Sequence, residues 1–273
     1  MADARNSWPI IVGGFYRSGT SLVRRLLNSH SRIHCGPEVK FFKDFFGDYI
    51  DDPLRHARFA ATASSILPEP DVFAILGHAF IAIHEAACAR IGKARWADKV
   101  PENSLYLDRW QQLLGDHWLF VHVARNPLDT IASFTRHPMK LVIPPDIRAR
   151  ARLYRQYHES ALHFGALNPT RYYCLLYEPL VQTPQDVLVH LMHWLGEDFE
   201  PGQLSFNRYS HTPGLEDPRA GSRTEIDRAS LYTWPKLLAM DDAIQIWAAT
   251  SDIWTELAGD AALVERFGHL QLE

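Results

Sequence analysis

Gly13-Gly14-Phe15-Tyr16-Arg17-Ser18-Gly19-Thr20-Ser21 is the stretch whose reading decides how this chain folds. It follows the apolar run Pro9-Ile10-Ile11-Val12 and precedes an amphipathic run from Leu22 to Asn28. Strand, glycine-containing turn and helix, in that order, converge the unpaired N–H groups of a helix start on one point, a geometry that holds a phosphate. The spacing from Gly14 to Gly19 matches the first part of a Walker A loop, but Thr20 stands where that loop needs lysine. A kinase or NTPase uses that lysine to reach the β- and γ-phosphates beside a magnesium ion. Here the cation lies inside the loop, as Arg17. The loop therefore suits the terminal phosphate of a nucleotide that lacks a γ-phosphoryl group.

Working outward, residues 9–14 read as a first strand and 18–29 as a helix that turns Leu22, Val23, Leu26 and Leu27 toward a core. Ile33-His34-Cys35 is a short second strand ending at Gly36-Pro37, and helical pattern fills much of 40–92, with breaks near Pro53 and at Pro68-Glu69-Pro70. Residues 95–98 form a short strand, 103–115 a helix, and Trp118 to Ala124 an apolar strand. Asn126-Pro127 opens a helix that runs through Phe134, and the prolines at 138, 144 and 145 make 136–146 a loop. A helix over 147–167, a strand over 171–177 and a helix over 179–195 follow. A Pro-, Gly- and Arg-rich tract at 201–225 precedes helix to the end. Strands alternating with helices predict an α/β, P-loop-like three-layer domain, a mostly parallel central sheet flanked by helices. Residues 1–273 are expected to form one domain. Ligands of such sheets bind beyond the carboxyl ends of the strands, where Arg17, Arg125 and Tyr177 fall.

The bulk composition narrows the function. With 273 residues, 47% of them hydrophobic, the chain can bury a substantial core. A net charge of −4 supplies no global basic field for nucleic acid, so an anion must be held by local arginines. Cys35, Cys88 and Cys174 have neither metal-ligand spacing nor an even count, and read as reduced, partly buried thiols. Met1 to Ser7 has no apolar signal-peptide region, and no apolar run approaches the roughly 18 residues of a membrane span. A cytoplasmic protein without a membrane anchor is the expectation. Trp234, Trp247 and Trp254 recur at helical spacings and read as core residues.

A second stretch repeats the logic of the first. Phe120 to Ala124 is a strand that delivers Arg125 at its end, and Ser133 lies about two turns into the helix after it. Arginine offers a planar fork for phosphate oxygens and serine a neutral donor beside it. Two strand-to-helix anion sites point to a nucleotide with phosphates at both ends of its ribose.

Arg17-Ser18-Gly19-Thr20-Ser21 and Arg125-Asn126-Pro127-Leu128-Asp129-Thr130-Ile131-Ala132-Ser133 together resemble the two nucleotide motifs of the sulfotransferases that use 3′-phosphoadenosine 5′-phosphosulfate (PAPS). The resemblance covers residues 9–40, 96–135 and 171–196. It leans toward the branch of the tyrosylprotein sulfotransferases and their bacterial homologues, in which a Cys-Gly-x-Glu element follows the loop, as Cys35-Gly36-Pro37-Glu38 does here. It implies that Arg17, Ser18, Gly19, Thr20 and Ser21 hold the 5′-phosphosulfate, that Arg125 and Ser133 hold the 3′-phosphate, and that Tyr177 sits near the nucleotide. It implies Glu38 as the base, and Lys99 with Arg17 as the groups that stabilise charge on the sulfonate and the bridging oxygen. PAPS is then the co-substrate, no metal is required, and the acceptor carries a hydroxyl or amine, as in a tyrosyl peptide, a glycan, a lipid or a secondary metabolite.

Each assignment has a plainer alternative. Glu38 can be a surface carboxylate paired with Lys40, and Lys99 a solvated lysine paired with Asp98 or Glu102. Thr20 and Ser21 can be helix caps, Glu178 a cap of the helix after it, and Asp217 to Arg223 a loop, closing over the nucleotide or simply mobile. His122 reads as a packed core histidine, while His30, His34 and His84 are rival bases with no motif behind them. Residues 44–92 and 136–150 are the expected acceptor pocket. Arg136, His137, Lys140, Arg148 and Arg150 suit an acidic acceptor or a solvated basic loop. Two other functions stay open: an ATP-dependent kinase or NTPase, which lacks its lysine and magnesium carboxylate here, and a non-catalytic nucleotide-binding protein.

Overall fold

In the computed structural model, which describes residues 4–46, 62–136, 139, 142–212 and 224–259, the first apolar run becomes β1 (Ile10–Gly14). It is the middle strand of a five-stranded sheet completed by β2 (Ile33–Cys35), β3 (Arg95–Lys99), β4 (Leu119–Ala124) and β5 (Tyr172–Leu176). The order is β2-β3-β1-β4-β5, and every pairing is parallel. A parallel sheet needs helical crossovers, which cover both faces, so its strands are apolar on both sides. Alternation then sorts the residues. Ile10 and Val12 of β1, with Leu119, Val121 and Val123 of β4, face one core, while Ile11 and Phe120 face another.

The helices are α1 (Thr20–Asn28), α2 (Phe41–Phe46), α3 (Glu69–Ile91), α4 (Leu107–Leu114), α5 (Pro127–Arg136), α6 (Ile147–Leu167), α7 (Tyr177–Gln182), α8 (Pro184–Leu195) and α9 (Met240–Ala258). The first core joins the sheet to α1, α7 and α8, with Leu22, Val23, Leu26 and Leu27 of α1 all buried as their spacing predicts. The second joins the sheet to α2, α3, α4 and α6 through Phe42, Phe73, Phe80, Trp110 and Phe164. A third cluster, which includes Phe134, Tyr154, Trp234, Trp247 and Trp254, ties α5, α6 and α9 together. The three tryptophans are core residues, as expected.

Several sequence expectations need correction. The helix expected over 179–195 is two, α7 and α8, because Pro184 has no N–H to continue the ladder and serves as the first residue of a new helix. The tract from 201 starts with a 3₁₀ helix, Pro201–Arg208, rather than irregular chain. Helix does not begin directly after 225: turns and a short 3₁₀ helix, Trp234–Lys236, precede α9. Helix α3 is long and apolar enough, by length and composition, to cross a membrane, with a mean hydropathy of 1.7 over its best window. His78, His84 and Glu85 interrupt the run read residue by residue, whereas the average absorbs them. This helix packs Phe73, Phe80, His84 and Cys88 inward and leaves Ile75 and Ile83 exposed. The expected break near Pro53 lies outside the described residues.

Candidate active site

Because all five strands run the same way, their carboxyl ends share one edge, and each delivers a residue there. Arg17 follows β1, Glu38 follows β2, Lys99 ends β3, Arg125 follows β4 and Tyr177 follows β5. These five are scattered over 161 positions of sequence (177 − 17 + 1) and are gathered by topology alone.

At the β1–α1 loop, Gly19 precedes α1 with φ 98° and no side chain caps the helix. Thr20 and Ser21 are therefore not caps, and while Leu22 and Val23 both donate to the Gly19 carbonyl, the N–H groups of Thr20 and Ser21 are left without an intrahelical acceptor. A Cβ on Gly19 would lie 2.4 Å from the Tyr177 ring, so only glycine fits between loop and ring. Arg17 is also left-handed, at φ 68°, a conformation that costs an ordinary residue roughly 1–2 kcal/mol. Its carbonyl accepts a hydrogen bond from Arg125 Nη1 at 3.1 Å, and its own Nε donates to Ser133 Oγ at 3.3 Å. The buried Ser18 Oγ has no hydrogen-bond partner among the described residues.

Glu38 and Lys99 meet in a closed ion pair. Lys99 Nζ donates to Glu38 Oε1 and, at 3.2 Å, to Ser21 Oγ. The Lys99 side chain is 0% exposed and that of Glu38 6%, so the solvated alternatives fail for both. Lys99 does not pair with Asp98, because adjacent strand residues point to opposite faces. Asp98 instead accepts from Asn103 Nδ2 at 2.8 Å and faces His84 at 3.6 Å. Burial, with a smaller contribution from Glu38, pushes the Asp98 carboxyl up to about 7. Lys40 lies 4.0 Å from Glu38 Oε2 and donates to Glu102 Oε1 at 3.0 Å. The turn that aims Glu38 is fixed from α1. Arg24, fully buried, donates to the carbonyls of Cys35 and Gly36 at 3.3 and 3.1 Å, and Asn28 Oδ1 accepts from the Cys35 N–H at 3.1 Å.

Around Arg125 the arrangement is denser. Its guanidinium lies over the Tyr177 ring at 4.8 Å, donates to the Ser230 carbonyl at 2.5 Å, and sits 3.8 Å from Asp129. Its Nε is buried and without a partner among the described residues. Asp129 also accepts from the Tyr232 and Trp234 N–H groups at 2.5 and 2.9 Å, which pins the segment carrying Ser230 over the site. Tyr177 opens α7 rather than ending a strand, and its hydroxyl meets Ser230 Oγ at 2.6 Å. Glu178 is not a helix cap. It accepts from the backbone and side chain of Asn126 at 2.9 and 2.7 Å, tying the end of β5 to the end of β4. Burial raises its carboxyl above the usual range, partly offset by those donors.

Three of the four histidines weighed as bases have other duties, while His34 Nδ1 is buried without a hydrogen-bond partner among the described residues. His122 is fully buried and joins His158 and Tyr172 at 2.8 Å each, the core histidine expected. His30 bonds the Asp198 carbonyl at 3.0 Å, and His84 stacks on Trp96 at a ring separation of 4.7 Å. Arg148 and Arg150 are engaged by Gln245 and the Pro144 carbonyl. His137, Lys140 and Asp217 to Arg223 lie outside the described residues. Among those described, no group of three or more His, Cys, Asp or Glu side chains is placed to hold a metal. Sequence reasoning missed Arg24, Asn28 and Ser230. Only the i, i+4 spacing of Arg24 and Asn28 on an otherwise apolar helix face signalled the first two.

Residues 9–201 match the sulfotransferase family. The chain is similar in structure to the sulfotransferase domain of the Synechococcus PCC 7002 olefin synthase, with a TM-score of 0.63 and 23% identity, covering 89% of this chain and 94% of that one. It is similar to mouse sulfotransferase SULT7A1 complexed with PAP, with a TM-score of 0.50 and 12% identity, covering 98% and 91%. Identities this low show the fold alone. An uncharacterized protein of Aquifex aeolicus (strain VF5) is 24% identical over 235 residues, 83% of this chain but only 30% of that protein's length.

Proposed function

This chain belongs to the sulfotransferase family, and from that premise we propose that it moves a sulfuryl group from PAPS to an acceptor hydroxyl or amine by in-line displacement, with Glu38 as general base and PAP released. The observation that carries this reading is the arrival of Arg17, Glu38, Lys99, Arg125 and Tyr177 at one edge of the sheet, one from each strand end. Two buried donors without partners among the described residues, Ser18 Oγ and Arg125 Nε, support the fit of the nucleotide's two phosphate ends. SULT7A1, complexed with PAP, supports the choice of nucleotide.

In this reading the acceptor O–H proton passes to Glu38 as the new O–S bond forms. The S–O bond to the 5′-phosphate breaks, and its electron pair leaves with PAP. Lys99, Arg17 and the open N–H groups of α1 neutralise the charge that develops on the bridging oxygen. Arg125 and Ser133 hold the 3′-phosphate, and Tyr177 lies beside the nucleotide. Lys99 is suited to its role because Ser21 and Glu38 aim its ammonium between the loop and the base. The three cysteines, none of them in a disulfide, support a reducing, cytoplasmic setting.

Calorimetric titration with PAP, against ATP plus magnesium, tests the reading. Micromolar PAP binding without metal and weak ATP binding are expected. Tight magnesium–ATP binding with no PAP signal would overturn it in favour of a kinase.

A further inference from the structure

Behind Glu38 runs a chain of buried polar groups that the proposed reaction does not use. Glu102 Oε1 accepts both from Lys40 Nζ, at 3.0 Å, and from the Tyr16 hydroxyl. Its Oε2 has no partner among the described residues. Lys40 is held a third way, over the face of the Tyr16 ring at 5.6 Å. The Tyr16 hydroxyl is kept protonated by burial, which raises it far above its ordinary value, so it stays a donor to Glu102. Glu102 and Glu38 are nearly inaccessible, with side chains 3% and 6% exposed.

The distances define what this group does. Lys99 occupies Glu38 Oε1, and Oε2 carries no hydrogen bond among the described residues. Lys40 lies 4.0 Å from that oxygen, inside electrostatic range and outside hydrogen-bond range. A long, flexible ammonium this close to a carboxylate would close the gap unless something held it back. Glu102 is the competing carboxylate, and Tyr16 orients Glu102. We propose that Glu102, oriented by Tyr16, is a latch that holds Lys40 away from Glu38 Oε2 and so keeps that oxygen open to the acceptor's proton. Tyr16, Lys40 and Glu102 are thus positioning residues, acting through Glu38. The inference rests on Glu38 being the base, but the latch itself is a statement about geometry and can be tested apart from it.

The decisive variant is Glu102→Gln, which keeps an acceptor for Tyr16 and removes the charge that restrains Lys40. Its crystal structure should show Lys40 Nζ moved to about 3 Å from Glu38 Oε2. Lys40 left in place, or turned to solvent, would overturn the latch whatever the enzyme does. In PAP release from PAPS, with a simple phenol as acceptor probe, Glu102→Gln should lose roughly tenfold or more in kcat, with PAP affinity unchanged. Adding Lys40→Met should recover much of that loss, because the blocking ammonium is gone. A purely structural role for Glu102 predicts the reverse, a double variant no faster than Glu102→Gln. Thermal melting of each variant separates misfolding from blockage. Full turnover by Glu38→Gln would instead remove Glu38 as the base, leaving the crystallographic result to judge the latch alone.

Discussion

The two strand-to-helix junctions look alike in sequence and work differently in structure. After β1, the helix start is left open: Gly19 offers no side chain to cap α1, and the loop's cation is held apart in a left-handed turn. After β4, the helix start is already closed. Asn126 Oδ1 accepts from the Asp129 N–H at 2.8 Å, and its own amides are taken by Glu178. The first junction therefore presents open backbone N–H groups at the strand edge, the second the guanidinium of Arg125. A glycine before the helix keeps the dipole available to a ligand, and an asparagine spends it on the fold. Under the proposed function, the open junction serves the group that reacts and the closed one the group that only anchors.

Breaking the open junction should have the largest effect. Gly19→Ala imposes a left-handed conformation on a Cβ that would also strike the Tyr177 ring at 2.4 Å. Strain and overpacking together should cost roughly 2–5 kcal/mol of stability and abolish PAP binding, as read by denaturant unfolding and calorimetry. Arg125→Ala tests the closed junction. It should weaken PAP binding by about 2–4 kcal/mol with little change in fold, whereas Arg17→Ala should lower kcat more than PAP affinity. Equal losses of affinity in the two variants would erase the distinction between anchoring and reacting sites.

Asn126→Ala should unfasten the closed junction without touching the open one. It removes a cap and takes from the buried Glu178 the side-chain one of its two Asn126 donors, the backbone N–H remaining, a loss of about 1–3 kcal/mol in unfolding free energy.

The smallest effect lies in the strands that lead to the two junctions. In the β1–β4 register Gly13 is paired with His122, so only the second strand carries a titratable group there. Burial holds His122 down at about 3, and burial together with His122 holds His158 well below its ordinary value. Such groups are neutral in the folded state, so their contribution is whole above the unfolded value near 6.5 and is lost as the pH falls toward 3. The stability of the wild type minus that of His122→Gln should drop between pH 7 and 5, by roughly 1.4 kcal/mol per unit for each proton. Asp98, raised to about 7, acts in the opposite direction over the same range and cancels in that difference. A flat difference would mean that the histidine pair titrates normally.

Some elements of this molecule have local causes and others distant ones. The strand–loop–helix passages at 9–28 and 118–136 were legible because propensity, periodicity and a glycine or proline at the boundary all agree within a few residues. The parallel sheet followed from their alternation. The apolar pattern also placed the three tryptophans and His122 in the core. The split between α7 and α8 is signalled by Pro184 but masked by an apolar period that continues across it. For Lys99 the neighbours in sequence, Asp98 and Glu102, were natural partners, and neither is the partner found. Glu178 looked like a cap because its position fits one. Its true acceptor role depends on β5 lying beside β4.

What the sequence by itself determined is the set of local devices: two strand-to-helix turns, the residues at their ends, and the helices and strands that hold them. Those rest on interactions between residues a turn or less apart, and no other part of the chain is needed to specify them. Tertiary structure alone decided which charges meet. Lys99 reached Glu38 across 61 positions, Arg125 reached Ser230 across 105, and Glu102 came to Tyr16 across 86. A buried charge takes whichever partner the sheet order and the pleat bring to it, and neither is written in the spacing along the chain.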